Sequence, residues 1–137
     1  MSSLDEISAV CLINGDSYLF QLRDNIEIRS RGKWVLPGGK KNQTETSKDA
    51  AIREFYEETN YKLKTILPIG RYYINEYFYK SFYLSLFFSY FIPNQKIYCR
   101  EGQKLKFINK NNFNLYKIDP FIKKIIKNVK ITKWFHI

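Results

Sequence analysis

A chain of 137 residues with 45% hydrophobic side chains is long enough for one folded domain with a core and too apolar for wholesale disorder. Two cysteines and one histidine, His136, exclude a disulfide framework and a zinc site built from these residues. MSSLDEIS lacks the basic-then-apolar order of a signal peptide, and the most apolar stretch, Ser81 to Ile92, is broken by serines and too short to span a bilayer as a helix, so a single cytoplasmic domain over residues 1–137 without membrane contact is expected. The formal charge of +10 favours encounter with polyanions. It leaves nucleic acid open as a partner, although a composition rich in Lys, Asn, Ile, Tyr and Phe throughout is the plainer source of the charge.

Ile7 to Ile13 reads as a strand, Asn14-Gly15-Asp16 as a hairpin turn and Ser17 to Arg23 as a second strand. Asp24 to Lys33 is a polar loop holding Arg29 and Arg31. Arg23, Arg29 and Arg31 can each meet phosphate oxygens, with a solvated surface arginine as the plainer reading of each. Trp34-Val35-Leu36 is a short strand that delivers the chain into Pro37-Gly38-Gly39, where two glycines let the backbone come close to a ligand.

A helix over Ser47 to Thr59 follows, free of Gly and Pro, with Thr46 as N-cap and Asp49 three residues on as its reciprocal partner. Between Glu45 and Asn60 five acids stand against two bases, a formal charge of −3 in a basic chain. At about 100° per residue, Glu54, Glu57 and Glu58 share an arc with Ala50, while Ile52, Phe55, Tyr56 and Thr59 point the other way towards a core. Arg53 lies four residues before Glu57 and can brace it. Convergent carboxylates repel one another, and a bound cation removes that repulsion. Hard oxygen donors suit Mg²⁺ or Mn²⁺, and a cluster of them suits two or more ions handling a polyphosphate.

Beyond this helix, Lys62 to Ile74 and Tyr79 to Ile92 read as strands. In the second, Phe82, Leu84, Leu86, Phe88 and Ile92 form a buried face, while Ser81, Ser85 and Ser89 alternate with Tyr83, Phe87 and Phe91 on a half-wet one. Rings there can stack on a base, with packing as the plainer use. Lys104 to Ile108 is a further strand. Asp119-Pro120 then starts a helix whose stripe is Phe121, Ile122, Ile125, Ile126 and Val129.

Gly39, five residues, Glu45, seven residues, Arg53, Glu54, two residues, Glu57 and Glu58 resemble the box of the Nudix hydrolases. Six such positions would match by chance on the order of once in a hundred thousand chains. Asn60 stands where the box has Gly and Tyr61 where it has an aliphatic residue. Asn is the next best residue for the left-handed helix end that the glycine provides. The resemblance implies an α/β (α+β) fold, an α/β/α sandwich with a mixed sheet between helices. It implies metal held by the Gly38 carbonyl, Glu54, Glu57 and Glu58, and Lys40 beside the phosphates. Glu101-Gly102-Gln103 resembles a triplet of MutT-type members, whose glutamate supplies a metal contact or a base. Asp119 approximates a base-reading position, with plain N-capping preferred.

The activity implied is Mg²⁺- or Mn²⁺-dependent hydrolysis of a diphosphate linkage in a nucleoside diphosphate joined to a second group. Glu54, Glu57 or Glu101 would take the proton, Arg53 would orient the acids, and Glu45 would support the loop. A nucleoside triphosphate, ordinary or oxidised, is the leading substrate. ADP-ribose or a nucleotide sugar, a dinucleoside polyphosphate and an RNA 5′ end are alternatives. A binding module without catalysis is the alternative class, and monomer and homodimer both stay open.

Overall fold

The computed structural model describes residues 4–23, 32–75, 80–100 and 104–128, and one strand organises them. In β1 (Asp5–Asn14), Ala9, Cys11 and Ile13 are buried in one core and Val10 and Leu12 in another. Successive side chains of a strand point to opposite faces, so these are two sides of one sheet. Along one edge of β1 runs β6 (Phe82–Tyr90), parallel and in register from Asp5↔Phe82 to Ile13↔Tyr90. β5 (Leu67–Ile74) pairs antiparallel with the far side of β6.

The other edge of β1 is shared. β4 (Gly38–Lys40) takes Ile7 to Ala9, and β2 (Ser17–Leu22) takes Ile13 and Asn14 through a tight turn with Gly15 at φ +62°. β2 in turn pairs with β3 (Trp34–Val35) at its end and with β7 (Lys104–Asn109) along its whole length. The result is a seven-stranded mixed sheet. α1 (Ser47–Thr59) places Ala51 and Phe55 in the core of Val10 and Leu12. α2 (Pro120–Asn128) places Ile122 and Ile126 in the core of Ala9, Cys11 and Ile13. One helix therefore covers each face, the α/β/α arrangement expected. Among the described residues no helix is long and apolar enough to cross a membrane.

Three local expectations change. The strand expected from Lys62 begins only at Leu67. Tyr61, Leu63 and Ile66 instead turn into the α1-side core, and the Gln95 side-chain amide takes a strand partner's place, accepting from the Lys62 N–H and donating to its carbonyl at 2.9 Å each. Within β6 the expected half-wet face is dry at Ser85, Phe87 and Ser89, because α1 and the 61–66 loop cover it. Ser89 donates to the Thr65 carbonyl, and Phe87 and Phe91 pack in that core rather than facing a ligand. Finally, Gly38 to Lys40, outside every expected element, is the strand β4. A short 3-10 helix, Lys110–Leu115, follows β7 and buries Phe113.

Candidate active site

The box folds as a strand, a loop and a helix, pinned at four points. Thr46 caps α1, its hydroxyl accepting from the Asp49 N–H at 3.1 Å. Asn60 ends the helix in the left-handed region at φ 64°, its N–H reaching the Tyr56 carbonyl at 2.8 Å. Glu6 holds the loop from β1: its carbonyl accepts from the Lys41 N–H at 2.8 Å, and its carboxylate accepts from the Ser47 hydroxyl, the Ser85 hydroxyl and Arg71. Below the helix, β4 is squeezed from both sides. A Cβ on Gly38 would lie 2.2 Å from the Ser8 carbonyl oxygen, and one on Gly39 would lie 2.3 Å from Glu54 Oε2. Only glycine admits the neighbouring strand at the first position and the glutamate at the second.

These two clashes differ in kind. Gly38→Ala meets β1 backbone and is expected to cost stability, about 1–3 kcal/mol by the usual range for overpacking. Gly39→Ala meets a side chain that can swing away. Its expected signature is a melting temperature near that of the parent with activity down by about tenfold or more, since an ångström of misplacement at a reacting centre costs on that scale. Thermal melts and steady-state rates on both variants separate the two effects.

Arg53 is the hub. Its Nε and Nη2 form a fork on Glu45 at 3.1 and 2.6 Å, Nη1 meets Glu54 at 2.8 Å and both Glu57 oxygens at 3.3 Å, and Nη2 also donates to the Lys40 carbonyl at 3.0 Å. Glu54 and Glu57 are thus brought to one nitrogen. Three acids against one base leave Glu45, Arg53, Glu54 and Glu57 with a formal charge of −2. The Arg53 guanidinium, helped by the Asn42 N–H at 2.8 Å, pulls the Glu45 carboxyl down to about 2 from an ordinary 4.5, and the same fork raises the affinity of Arg53 for its proton.

A depressed carboxyl stabilises the fold above its unfolded pKa, and that contribution goes as pH falls through the folded value. The melting temperature is therefore expected to be insensitive to this group above about pH 5 and to fall between about pH 4.5 and 2. Glu45→Gln should flatten that part of the profile in a pH series of thermal melts.

Glu58 departs from the expected open arc. It is wholly buried, with Oε1 accepting from the Gly38 N–H at 2.8 Å, and Ala50 beside it on the arc is buried as well. Ile52 and Tyr56, expected to face the core, are only partly buried. α1 is rolled so that its glutamate arc straddles the edge of β4, with Glu57 half exposed outside and Glu58 inside. Among the described residues no three acidic, histidine or cysteine side chains are grouped so as to hold a metal ion. Arg53 supplies the opposite charge for Glu54 and Glu57, and Gly38 holds Glu58 apart from them.

The other candidates scatter. Lys40 turns its ammonium to Asp5 at 3.3 Å, where Lys80 also lies at 3.1 Å. Arg23 donates to the buried Gln21 at 3.4 Å. Asp119 is buried, and its Oδ1 accepts from the N–H groups of Phe121 and Ile122 at 3.0 and 3.2 Å, the geometry of an N-cap for α2. Asp119→Ala is accordingly expected to lose about 1 kcal/mol of stability with KM unchanged. A large rise in KM without a loss in melting temperature would instead mark Asp119 as a ligand contact. Arg29, Arg31, Glu101 with its triplet, Val129 and His136 lie outside the described residues.

Reading the sequence missed Glu6 and Arg71, which brace the box from 41 and 65 residues apart in pairs with Ser47 and with each other. It also missed Arg100, whose N–H reaches the Glu58 carbonyl at 2.9 Å. No local spacing announces such contacts.

Comparison with known proteins bears on the family and the fold. The model of the NUDIX domain matches residues 5–129. Among solved structures, the MutT NUDIX hydrolase from Burkholderia pseudomallei superposes with a TM-score of 0.82 at 14% identity, over 93% of this chain and 99% of that one. The MutT protein from Bacillus halodurans gives 0.75 at 23% identity, over 94% and 84%. An Ap4A hydrolase from C. elegans gives 0.72 at 14%, over 90% and 93%. Family match, fold and box together define a pyrophosphohydrolase. The chain belongs to the Nudix family, whose domain accounts for nearly all of it.

Proposed function

We propose that this Nudix hydrolase cleaves a nucleoside triphosphate, ordinary or oxidised, to the monophosphate and pyrophosphate. The observation that carries the reading is the pairing of Glu54 and Glu57 on one Arg53 nitrogen, with Glu54 lying directly on the Gly39 backbone. Carboxylates and peptide carbonyls are hard oxygen donors, and the net negative charge of the cluster asks for a cation, so the residues present fit Mg²⁺ or Mn²⁺. The carboxylates of Glu54, Glu57 and Glu58 and the Gly38 carbonyl would hold the ion, which requires Glu58 to leave the Gly38 N–H and join the other two. Bound there, it would offset the charge of the diphosphate and lower the pKa of the attacking water.

The remaining work belongs to the chain. A carboxylate of Glu54, Glu57 or Glu101 takes the proton as water oxygen bonds to phosphorus. The bridging P–O bond breaks, and its electron pair leaves with the pyrophosphate oxygen. Arg53 keeps Glu54 and Glu57 in place, and its fork on Glu45 and bond to the Lys40 carbonyl tie the loop to the helix. Lys40, Arg23, Arg29 and Arg31 would meet the phosphates, which for Lys40 requires leaving Asp5. Support for the triphosphate comes from the Glu101 triplet and from the resemblance to MutT-type folds. The Ap4A hydrolase among the similar structures keeps dinucleoside polyphosphates as the second reading.

A panel of nucleoside triphosphates, oxidised purine triphosphates, ADP-ribose and dinucleoside polyphosphates, assayed for phosphate products with Mg²⁺ and with chelator, tests the proposal. Pyrophosphate release from triphosphates, abolished by chelator, is expected. Preference for ADP-ribose or a dinucleoside polyphosphate would replace the substrate named here. Equal rates with chelator would reject the metal.

A further inference from the structure

The last turn of α1 carries Glu57 and Glu58 at the end where the helix dipole is negative, and it has no basic residue of its own. Acids at a helix C-terminus are unfavourable, and a cation there offsets the cost. The cation comes from elsewhere in the chain. Arg100 lies forty residues beyond Asn60, its guanidinium bonded to the Asn60 side-chain oxygen and its Cζ 5.4 Å from the centre of the Tyr56 ring. Its backbone N–H reaches the Glu58 carbonyl at 2.9 Å, and Tyr98 does the same for Thr59 at 2.8 Å. Among the described residues no carboxylate pairs with this guanidinium.

Asn60 is the position where this chain departs from the box glycine. Glycine would hold the left-handed conformation at φ 64° more easily. The asparagine keeps that conformation and gains the acceptor that Arg100 uses.

We propose that Arg100 is a positioning residue for Glu57 and Glu58, acting through Asn60: the pair clamps the last turn of α1 so that its carboxylates keep their places beside β4. The inference rests on the reading that these glutamates serve the reaction by binding a divalent ion. Asn60→Gly is the informative variant, because it removes the acceptor while leaving the helix end intact. Electron paramagnetic resonance of free Mn²⁺ during titration of the protein reads ion affinity without turnover, and kcat, the Mg²⁺ concentration for half-maximal rate and thermal melts accompany it.

Asn60→Gly is expected to melt at or above the parent temperature yet to bind Mn²⁺ about tenfold more weakly, the scale seen when groups supporting metal ligands are lost. Its half-saturating Mg²⁺ should rise in step. Asn60→Asp keeps the acceptor and adds a negative charge, so it should bind Mn²⁺ no more weakly than the parent. Arg100→Ala should match Asn60→Gly, and the double variant should be no worse than either single one. Parental Mn²⁺ affinity in Asn60→Gly overturns the proposal, as do single losses that multiply in the double variant. Glu57→Gln is the control: unchanged Mn²⁺ affinity there rejects the underlying reading of the site, whereas a loss there beside a normal Asn60→Gly rejects the role of Arg100 alone.

Discussion

Glu57→Gln is expected to lower turnover by at least about a thousandfold, about 4 kcal/mol of barrier, with a melting temperature close to that of the parent. The side chain is half exposed on the outer flank of α1, and Arg53 is its ion-pair partner at 3.3 Å. Glutamine has the same length and can still accept from Arg53, so packing has no reason to change. What goes is the negative charge, and with it the ability to hold a cation or take a proton. Steady-state rates on the best nucleotide of the panel, with a thermal melt, check this. Turnover within tenfold of the parent would remove Glu57 from the chemistry.

Arg53→Ala is expected to cost at least about a hundredfold in turnover, on the scale of losing a group that positions reactants, and also to lower the melting temperature by several degrees. The guanidinium serves Glu45, Glu54, Glu57 and the Lys40 carbonyl at once. Removing it leaves three acids facing each other and releases the loop between β4 and α1. Arg53→Lys should resemble Ala more than the parent, because one ammonium cannot present a fork to Glu45 and reach the other four oxygens as well. Full activity in Arg53→Lys would mean that charge alone, without geometry, suffices. The two variants also differ from each other: loss of Glu57 spares the fold, and loss of Arg53 does not.

The box was legible because its information is local. Gly39, Glu45, Arg53, Glu54, Glu57 and Glu58 all lie within one loop and one helix, where spacing converts directly into direction. The same locality made α1 and its Thr46 cap, the β1–β2 turn at Gly15 and the Asp119 cap of α2 readable in advance. Where the outcome depended on what covers a face, the sequence was silent. Ser85 and Ser89 look like a wet face until α1 and the 61–66 loop lie over them. Lys62 to Ile66 has the residues of a strand but no strand beside it, so its buried side chains and the Gln95 amide decide its path.

The sequence by itself determined the family, the helix and the identity of the acids, because each follows from residues a few positions apart. Only the tertiary structure decided how those acids divide. The pressing of α1 onto a glycine strand, itself wedged against Ser8 and Ala9 of β1, sends Glu58 inwards to the Gly38 N–H and leaves Glu57 outside with Arg53. The rotation of a helix about its own axis is set by contacts with distant strands, and helical periodicity carries only the relative angles of its residues.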